Sequence, residues 1–154
     1  MEYHLLKFRR LSPGSLRSGK DWRENAPQGK VLIVDDESSF RRVLRLSLAA
    51  LGFNVEEAST GEQALALLGA GRYDVVLLDI DMPGMGGIET CKEIQKLSPR
   101  PTVLMLTVRD GEDDIAKAFE AGADDFVTKP FSLFDLAERV RASLRDPPTE
   151  SARK

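Results

Sequence analysis

The stretch Lys30-Val31-Leu32-Ile33-Val34 ends in two acids, Asp35-Asp36, and is followed by Phe40, Val43, Leu44, Ser47, Leu48 and Leu51. An unbroken apolar run bounded by polar residues reads as a strand covered on both faces, because a strand with one wet face alternates. The apolar positions after it recur every three or four residues, which is one face of a helix, and Gly52 just beyond them is a stop. The unit repeats four times. Strand Phe53 to Ala58 precedes helix Glu62 to Leu68, and strand Asp74 to Leu78 precedes helix Ile88 to Leu97. Strand Thr102 to Leu106 precedes helix Glu112 to Ala121, and strand Asp125 to Thr128 precedes helix Leu133 to Leu144. Five such units specify an α/β fold, a doubly wound parallel sheet with helices on both faces. The expected flavodoxin-like strand order, 2-1-3-4-5, opens a crevice at the carboxyl ends of the strands where the order reverses.

Working outward, residues 1–29 carry six Lys/Arg (Lys7, Arg9, Arg10, Arg17, Lys20, Arg23) against three acids, so the remaining residues hold −6 of the overall −3. Ser12-Pro13-Gly14-Ser15 and Ala26-Pro27 interrupt any long element there, and the segment reads as a basic, flexible extension or a docking arm. Residues 30–146 form the folded domain, and residues 147–154, opened by Pro147-Pro148, a polar tail. A composition of 42% hydrophobic and 31% charged residues is near the globular average, which excludes low-complexity classes. The acidic balance argues against direct nucleic-acid binding. No apolar run is long enough for membrane insertion, and the lone Cys91 cannot form an internal disulfide, so a cytoplasmic location is expected. Cys91 itself reads as a small buried hydrophobe.

At the strand ends stand Asp35-Asp36, Asp79, Thr107 and Lys129. In the expected order three carboxylates converge beside a hydroxyl and an ammonium. Like charges held together need a cation or a proton. A hard divalent ion, Mg²⁺, suits carboxylates with neither His nor Cys among them. Asp79 lies between the acid pair and the Thr/Lys side, so a phosphoryl group on its oxygen meets compensating charge on both sides. The spacing therefore points to a phosphorylatable aspartate.

The motifs VLIVDDE (Val31 to Glu37), VVLLDIDMPGMGG (Val75 to Gly87), VLMLTVRD (Val103 to Asp110) and AGADDFVTKPF (Ala121 to Phe131) resemble the receiver domain of bacterial two-component response regulators. The resemblance implies that Asp79 takes a phosphoryl group from a sensor histidine kinase or a histidine phosphotransfer protein. It implies Mg²⁺ bound by Asp36, Asp79 and the backbone carbonyl of Asp81, with Asp35 acting through water. It further implies a Lys129 paired with a phosphoryl oxygen, a cis bond before Pro130, and a switch in which Thr107 swings to hydrogen-bond the phosphoryl group and Phe126 turns inward to fill the vacated space. Gly84, Gly86 and Gly87 read as turn formers without a phosphate-cradling role. His4, the only histidine, lies in the extension, so the phosphodonor is another molecule.

The stretch LTVRD and the last helix look most like receivers of the winged-helix transcription-factor subfamily, which pair through the fourth helix, fifth strand and fifth helix. A homodimer there would join Glu120 to Arg141 and Asp125 to Arg139 between copies. A third pair is missing, since Ile115 stands opposite Asp135, and Ile115 beside Phe134 suggests an apolar docking patch instead. Asp81 and Arg109 are expected to pair across the site entrance and, with Val108, to slow loss of the phosphate. The sequence leaves no room after Arg145 for an output domain, so the expected reading is a stand-alone receiver acting on an unknown output protein. Three alternatives compete: a truncated receiver of a DNA-binding regulator, a partner-binding domain without phosphotransfer, and a haloacid-dehalogenase-like phosphatase. The last shares Asp79-x-Asp81, but that family opens with this motif and ends with its acidic metal pair, the reverse of the order here.

Overall fold

The computed structural model describes residues 28–148. The extension before Gln28 and the tail after Pro148 lie outside the described residues. Ten elements alternate: β1 (Lys30–Val34), α1 (Ser38–Ala50), β2 (Asn54–Ala58), α2 (Gly61–Ala70), β3 (Val75–Leu78), α3 (Gly87–Ile94), β4 (Thr102–Thr107), α4 (Glu112–Glu120), β5 (Asp125–Thr128) and α5 (Leu133–Arg145). The five strands form one sheet in the order β2-β1-β3-β4-β5, and every neighbouring pair is parallel.

The unbroken apolar strands feed two separate cores. Leu32 and Val34, Val76 and Leu78, and Val103 and Met105 face one side, where Ala64 and Leu68 of α2, Cys91 and Ile94 of α3 and Ala118 of α4 cover them. Their neighbours Val31, Ile33, Val75, Leu77, Leu104 and Leu106 face the other, under Leu44 and Leu48 of α1 and Leu136, Ala137 and Val140 of α5. Alternation of side chains along each strand is what sends successive residues to opposite layers. Every strand residue in β1 from Val31, and throughout β3 and β4, is therefore buried. Burying side chains of this kind contributes about 1.5–3 kcal/mol each.

Helix ends follow local chemistry. Gly52 has φ +103°, and after it the Phe53 N–H reaches the Leu48 carbonyl at 3.2 Å while the Gly52 N–H reaches Ala49 at 3.0 Å. Those two bonds satisfy carbonyls that α1 leaves open, and the positive φ favours glycine. Thr60 caps α2 by accepting from the Gln63 N–H at 3.0 Å, and Gln63 reaches back to the Ser59 N–H at 2.8 Å.

Two expectations are corrected here. Val43 was expected on the buried face of α1 but is 63% exposed. Leu44 and Leu48 already occupy the stripe that meets the sheet, and a residue one position away is rotated by about 100° out of it. The third helix ends at Ile94 instead of Leu97, because Lys96 and Leu97 bond to carbonyls three residues back, at 3.1 and 3.0 Å, in a tighter final turn. Cys91 is fully buried, and burial pushes its thiol up to about 11, as befits a small core residue.

Candidate functional site

Register brings the site together. Val34 lies opposite Leu78, Leu78 opposite Met105, and Thr107 opposite Thr128, so the residues that follow these positions emerge along one edge. The backbone holds them one step further. The Asp79 N–H donates to Val34 at 3.0 Å, Lys129 to Thr107 at 2.9 Å and Asp35 to Ala58 at 3.2 Å. Side chains anchored on buried strands in this way have little freedom to drift.

The Lys129 ammonium sits 2.8 Å from Asp35 Oδ2 and 3.7 Å from Asp79 Oδ2. Asp35 and Asp79 are buried, while Asp36 stands at the exposed rim, and one oxygen from each of the three lies within 4.8 Å of the others. Burial is the largest influence on Asp79 and raises its carboxyl above the ordinary range; the Asp35 charge adds to this. Lys129, the Asp81 N–H at 3.3 Å and the Thr107 hydroxyl pull the other way without cancelling it. Three carboxylates meet beside one ammonium that pairs with Asp35 and Asp79, which leaves an excess of negative charge in a partly dry crevice. A hard cation with oxygen donors meets both the charge and the donor set, so these residues fit Mg²⁺.

Thr107 is fully buried, and its Oγ1 accepts from the Arg109 N–H at 3.2 Å. The Lys129–Pro130 bond is cis, and Phe126 is half-buried against the core that contains Val103 and Met105. Gly87 does more than form a turn. A Cβ there would meet the Asp79 carbonyl at 2.1 Å, so α3 starts in contact with the backbone of the central acid. Sequence reasoning also placed Phe40 only in the core and passed over Arg41. The Lys129 ammonium lies 4.0 Å from the Phe40 ring, which packs edge-on against Phe131, and Arg41 donates to the Asp35 carbonyl at 2.7 Å. Both occupy the first turn after Asp35-Asp36, and that nearness was the available signal.

At the mouth, Arg109 Nε bonds both oxygens of Asp81, at 2.9 and 2.8 Å, and its NH1 lies 3.5 Å from Asp114. The expected entrance pair is thus formed. On the α4-β5-α5 side, Asp125 and Arg139 pair within one chain at 2.7 Å, Arg139 also meets Asp135 at 3.5 Å, and Arg141 pairs with Glu138 at 2.9 Å. Glu120 is exposed, Ile115 half-buried, and Phe134 74% exposed. No helix among the described residues is long and apolar enough to cross a membrane.

Comparison with known proteins agrees with this geometry. The model of the response regulator receiver domain matches residues 31–141. The chain is 42% identical over 116 residues to the transcriptional regulatory protein ResD of Bacillus subtilis, covering 75% of this chain and 48% of that protein. It spans about half the length of such relatives. Among solved structures, the chemotaxis protein CheY4 of Vibrio cholerae shares 33% identity at a TM-score of 0.71, over 74% of this chain and 97% of that one. The response regulator TrrA of Thermotoga maritima, in complex with Mg²⁺-BeF, shares 35% identity at a TM-score of 0.68, over 74% and 97%.

Proposed function

Because the chain belongs to the response regulator receiver family of two-component systems, we propose that Asp79 is its phosphoacceptor and that a phosphohistidine on a kinase or phosphotransfer protein is the donor. The observation that carries this reading is the meeting of Asp35, Asp36 and Asp79 with Lys129 at the carboxyl ends of adjacent strands. In the transfer, an Asp79 carboxylate oxygen attacks phosphorus and the phosphorus–nitrogen bond breaks. The departing imidazole keeps the electron pair and takes up a proton. Mg²⁺ would be held by Asp36, Asp79 and the Asp81 carbonyl, with Asp35 acting through water, and supplies charge neutralisation for the transferring group. Lys129 leaves Asp35 for a phosphoryl oxygen, and Thr107, already beside Asp79, donates to another. Phe126 follows Thr107, and the change reaches the α4-β5-α5 face.

That face is the proposed partner surface, either for an output protein or for a second copy through Glu120, Asp125, Arg139 and Arg141. The Asp81–Arg109 pair closes part of the entrance and is proposed to slow attack by water on the acyl phosphate. The chain turns over no free substrate under this reading.

Intact-protein mass after incubation with Mg²⁺ and acetyl phosphate tests the reading. One added phosphoryl group on the wild type and none on Asp79→Asn is expected. An adduct that survives in Asp79→Asn overturns the assignment, as does failure to take either phosphate or beryllofluoride. Repeated turnover of a phosphate monoester would favour the phosphatase instead.

A further inference from the structure

Two arginines of α1, Arg41 and Arg45, reach the same acid on the edge strand β2. The register explains why. Ile33 is the partner of Glu57, so Glu57 points into the layer that Ile33 faces, which α1 covers with Leu44 and Leu48. Residues four apart on a helix share a face, so both arginines stand over Glu57. Arg41 Nε donates to Glu57 Oε1 at 3.0 Å, and Arg45 Nε donates to Oε2 at 2.5 Å. Either arginine ties α1 to the sheet edge. Arg41 makes a further contact that Arg45 does not: its Nη1 donates to the carbonyl oxygen of Asp35 at 2.7 Å. A guanidinium presents its donors in a fixed planar fork, so Glu57 on one prong sets the direction of the other. The Arg41 side chain is 15% exposed, and water competes weakly for those donors.

The carbonyl that Arg41 holds belongs to the one peptide unit joining the two acids at the end of β1. Asp35 is fixed in other ways as well. Its N–H donates to Ala58 at 3.2 Å, and its carboxylate accepts from the Glu37 N–H at 2.9 Å and from Lys129 at 2.8 Å. Asp36 has no such support. Its side chain is exposed, and among the described residues no hydrogen bond or ion pair holds its carboxylate. Even so, one of its oxygens lies within 4.8 Å of those of Asp35 and Asp79. A peptide is rigid and planar, so a donor on the Asp35 oxygen fixes the plane from which the Asp36 backbone departs. We propose that Arg41 is a positioning residue for the Mg²⁺ site, holding the Asp35–Asp36 peptide so that the Asp36 carboxylate stays beside those of Asp35 and Asp79. The inference rests on the reading that Asp36 and Asp79 hold Mg²⁺. Charge and position oppose each other here. A cation behind three carboxylates repels a second cation, so an Arg41 acting only by charge would weaken Mg²⁺ binding, whereas one acting by position strengthens it.

Titration of the full chain with Mg²⁺, followed through the backbone amide resonances of the crevice, tests this without phosphoryl transfer. Arg41→Lys keeps the charge but loses the fork, and is expected to weaken Mg²⁺ binding roughly tenfold, the scale for a group that orients a metal ligand. Arg41→Met removes the charge too and is also expected to weaken binding, where a purely electrostatic role gives tighter binding. Arg45→Lys is the matched control. It disturbs the same tie to Glu57 without touching the Asp35 carbonyl, so the unfolding midpoint falls while Mg²⁺ affinity stays at the wild-type value. In Arg41→Lys the rate of adduct formation from acetyl phosphate recovers at saturating Mg²⁺, a split that a general loss of fold does not produce. Three results overturn the proposal: undiminished Mg²⁺ binding in Arg41→Lys, tighter binding in Arg41→Met, or an equal loss in Arg45→Lys. Each leaves the functional reading standing. Absence of any Mg²⁺-dependent shift in the wild type overturns that reading, and this proposal with it.

Discussion

At the amino ends of the strands Asp74, Asp124 and Lys30 each meet a partner, whereas at the carboxyl ends three acids gather beside one ammonium, which pairs with Asp35 and Asp79. Asp74 accepts from the Lys30 N–H at 2.9 Å, and the Lys30 ammonium lies 3.6 Å from Glu56 and 4.4 Å from the Tyr73 ring. Burial and the bonded Glu56 carboxylate push the Tyr73 hydroxyl up to about 12. Arg100 forks onto Asp124 with two bonds of 2.8 Å, and Asp124 also accepts from the Val103 N–H at 2.9 Å. Both ends are rich in charge, and a count of acids does not separate them. What separates them is closure. Where charges are satisfied the sheet is being held together, and where they are left in excess the protein stores an electrostatic demand that an arriving cation and phosphoryl group meet.

The largest expected effect breaks the carboxyl end alone. Asp79→Asn abolishes the phosphoryl adduct read by intact mass and leaves the far-ultraviolet circular dichroism spectrum unchanged. The amino end answers differently. Arg100→Ala removes a cation whose side chain is 5% exposed and leaves Asp124 without its fork. Urea unfolding should show a loss of about 1.5–3 kcal/mol, the scale for hydrogen bonds to a charged group, while Asp79 still accepts phosphate. If Arg100→Ala abolished the adduct instead, the division between a structural end and a functional end would fail.

A smaller effect has the opposite sign. The Asp79 carboxyl is raised by burial, so its ionised form costs stability in the folded state. Asp79→Asn should therefore stabilise the metal-free protein at neutral pH, by roughly 1 kcal/mol on the scale of single substitutions. The sign fixes the window. The gain is complete above the raised folded-state value and disappears as pH falls below the ordinary carboxylate value, because there both states are protonated. Thermal melts of the two proteins from neutral to acidic pH in a chelating buffer check it, and a gap that widens toward acid would contradict the assignment. Smallest of all is the entrance. Arg109→Ala and Asp81→Ala should each speed loss of the acyl phosphate by a few-fold with no change in unfolding midpoint, since an exposed pair contributes only about 0–1 kcal/mol.

Most of the carboxyl end was legible in the sequence. Strands buried on both faces announce themselves as apolar runs, and parallel pairing puts their ends level, so Asp35, Asp79, Thr107 and Lys129 could be read as neighbours. The amino end was not legible in the same way. Arg100 and Asp124 are 24 positions apart in irregular segments, and nothing periodic connects them. Val43 failed for another reason: the 3.6-residue repeat marks a stripe without saying how wide a stripe the sheet leaves to cover. Gly87 looked like any glycine after a proline, because close approach of two backbones leaves no trace in a single sequence. The intrachain pairing of Asp125 with Arg139 depends on the distance between β5 and α5, which only the folded chain supplies.

The position of the Phe40 ring, 4.0 Å from the Lys129 ammonium, gives the site an optical and magnetic witness of its own. An aromatic face shields protons placed over it, so the terminal methylene of Lys129 should resonate upfield of an ordinary lysine in the resting protein. If that ammonium leaves for a phosphoryl oxygen, as proposed, the shielding is released. A fluorinated phenylalanine at this position would register the same departure from the ring side. Occupancy of the site is thus written into the spectrum of a residue that never touches the phosphate.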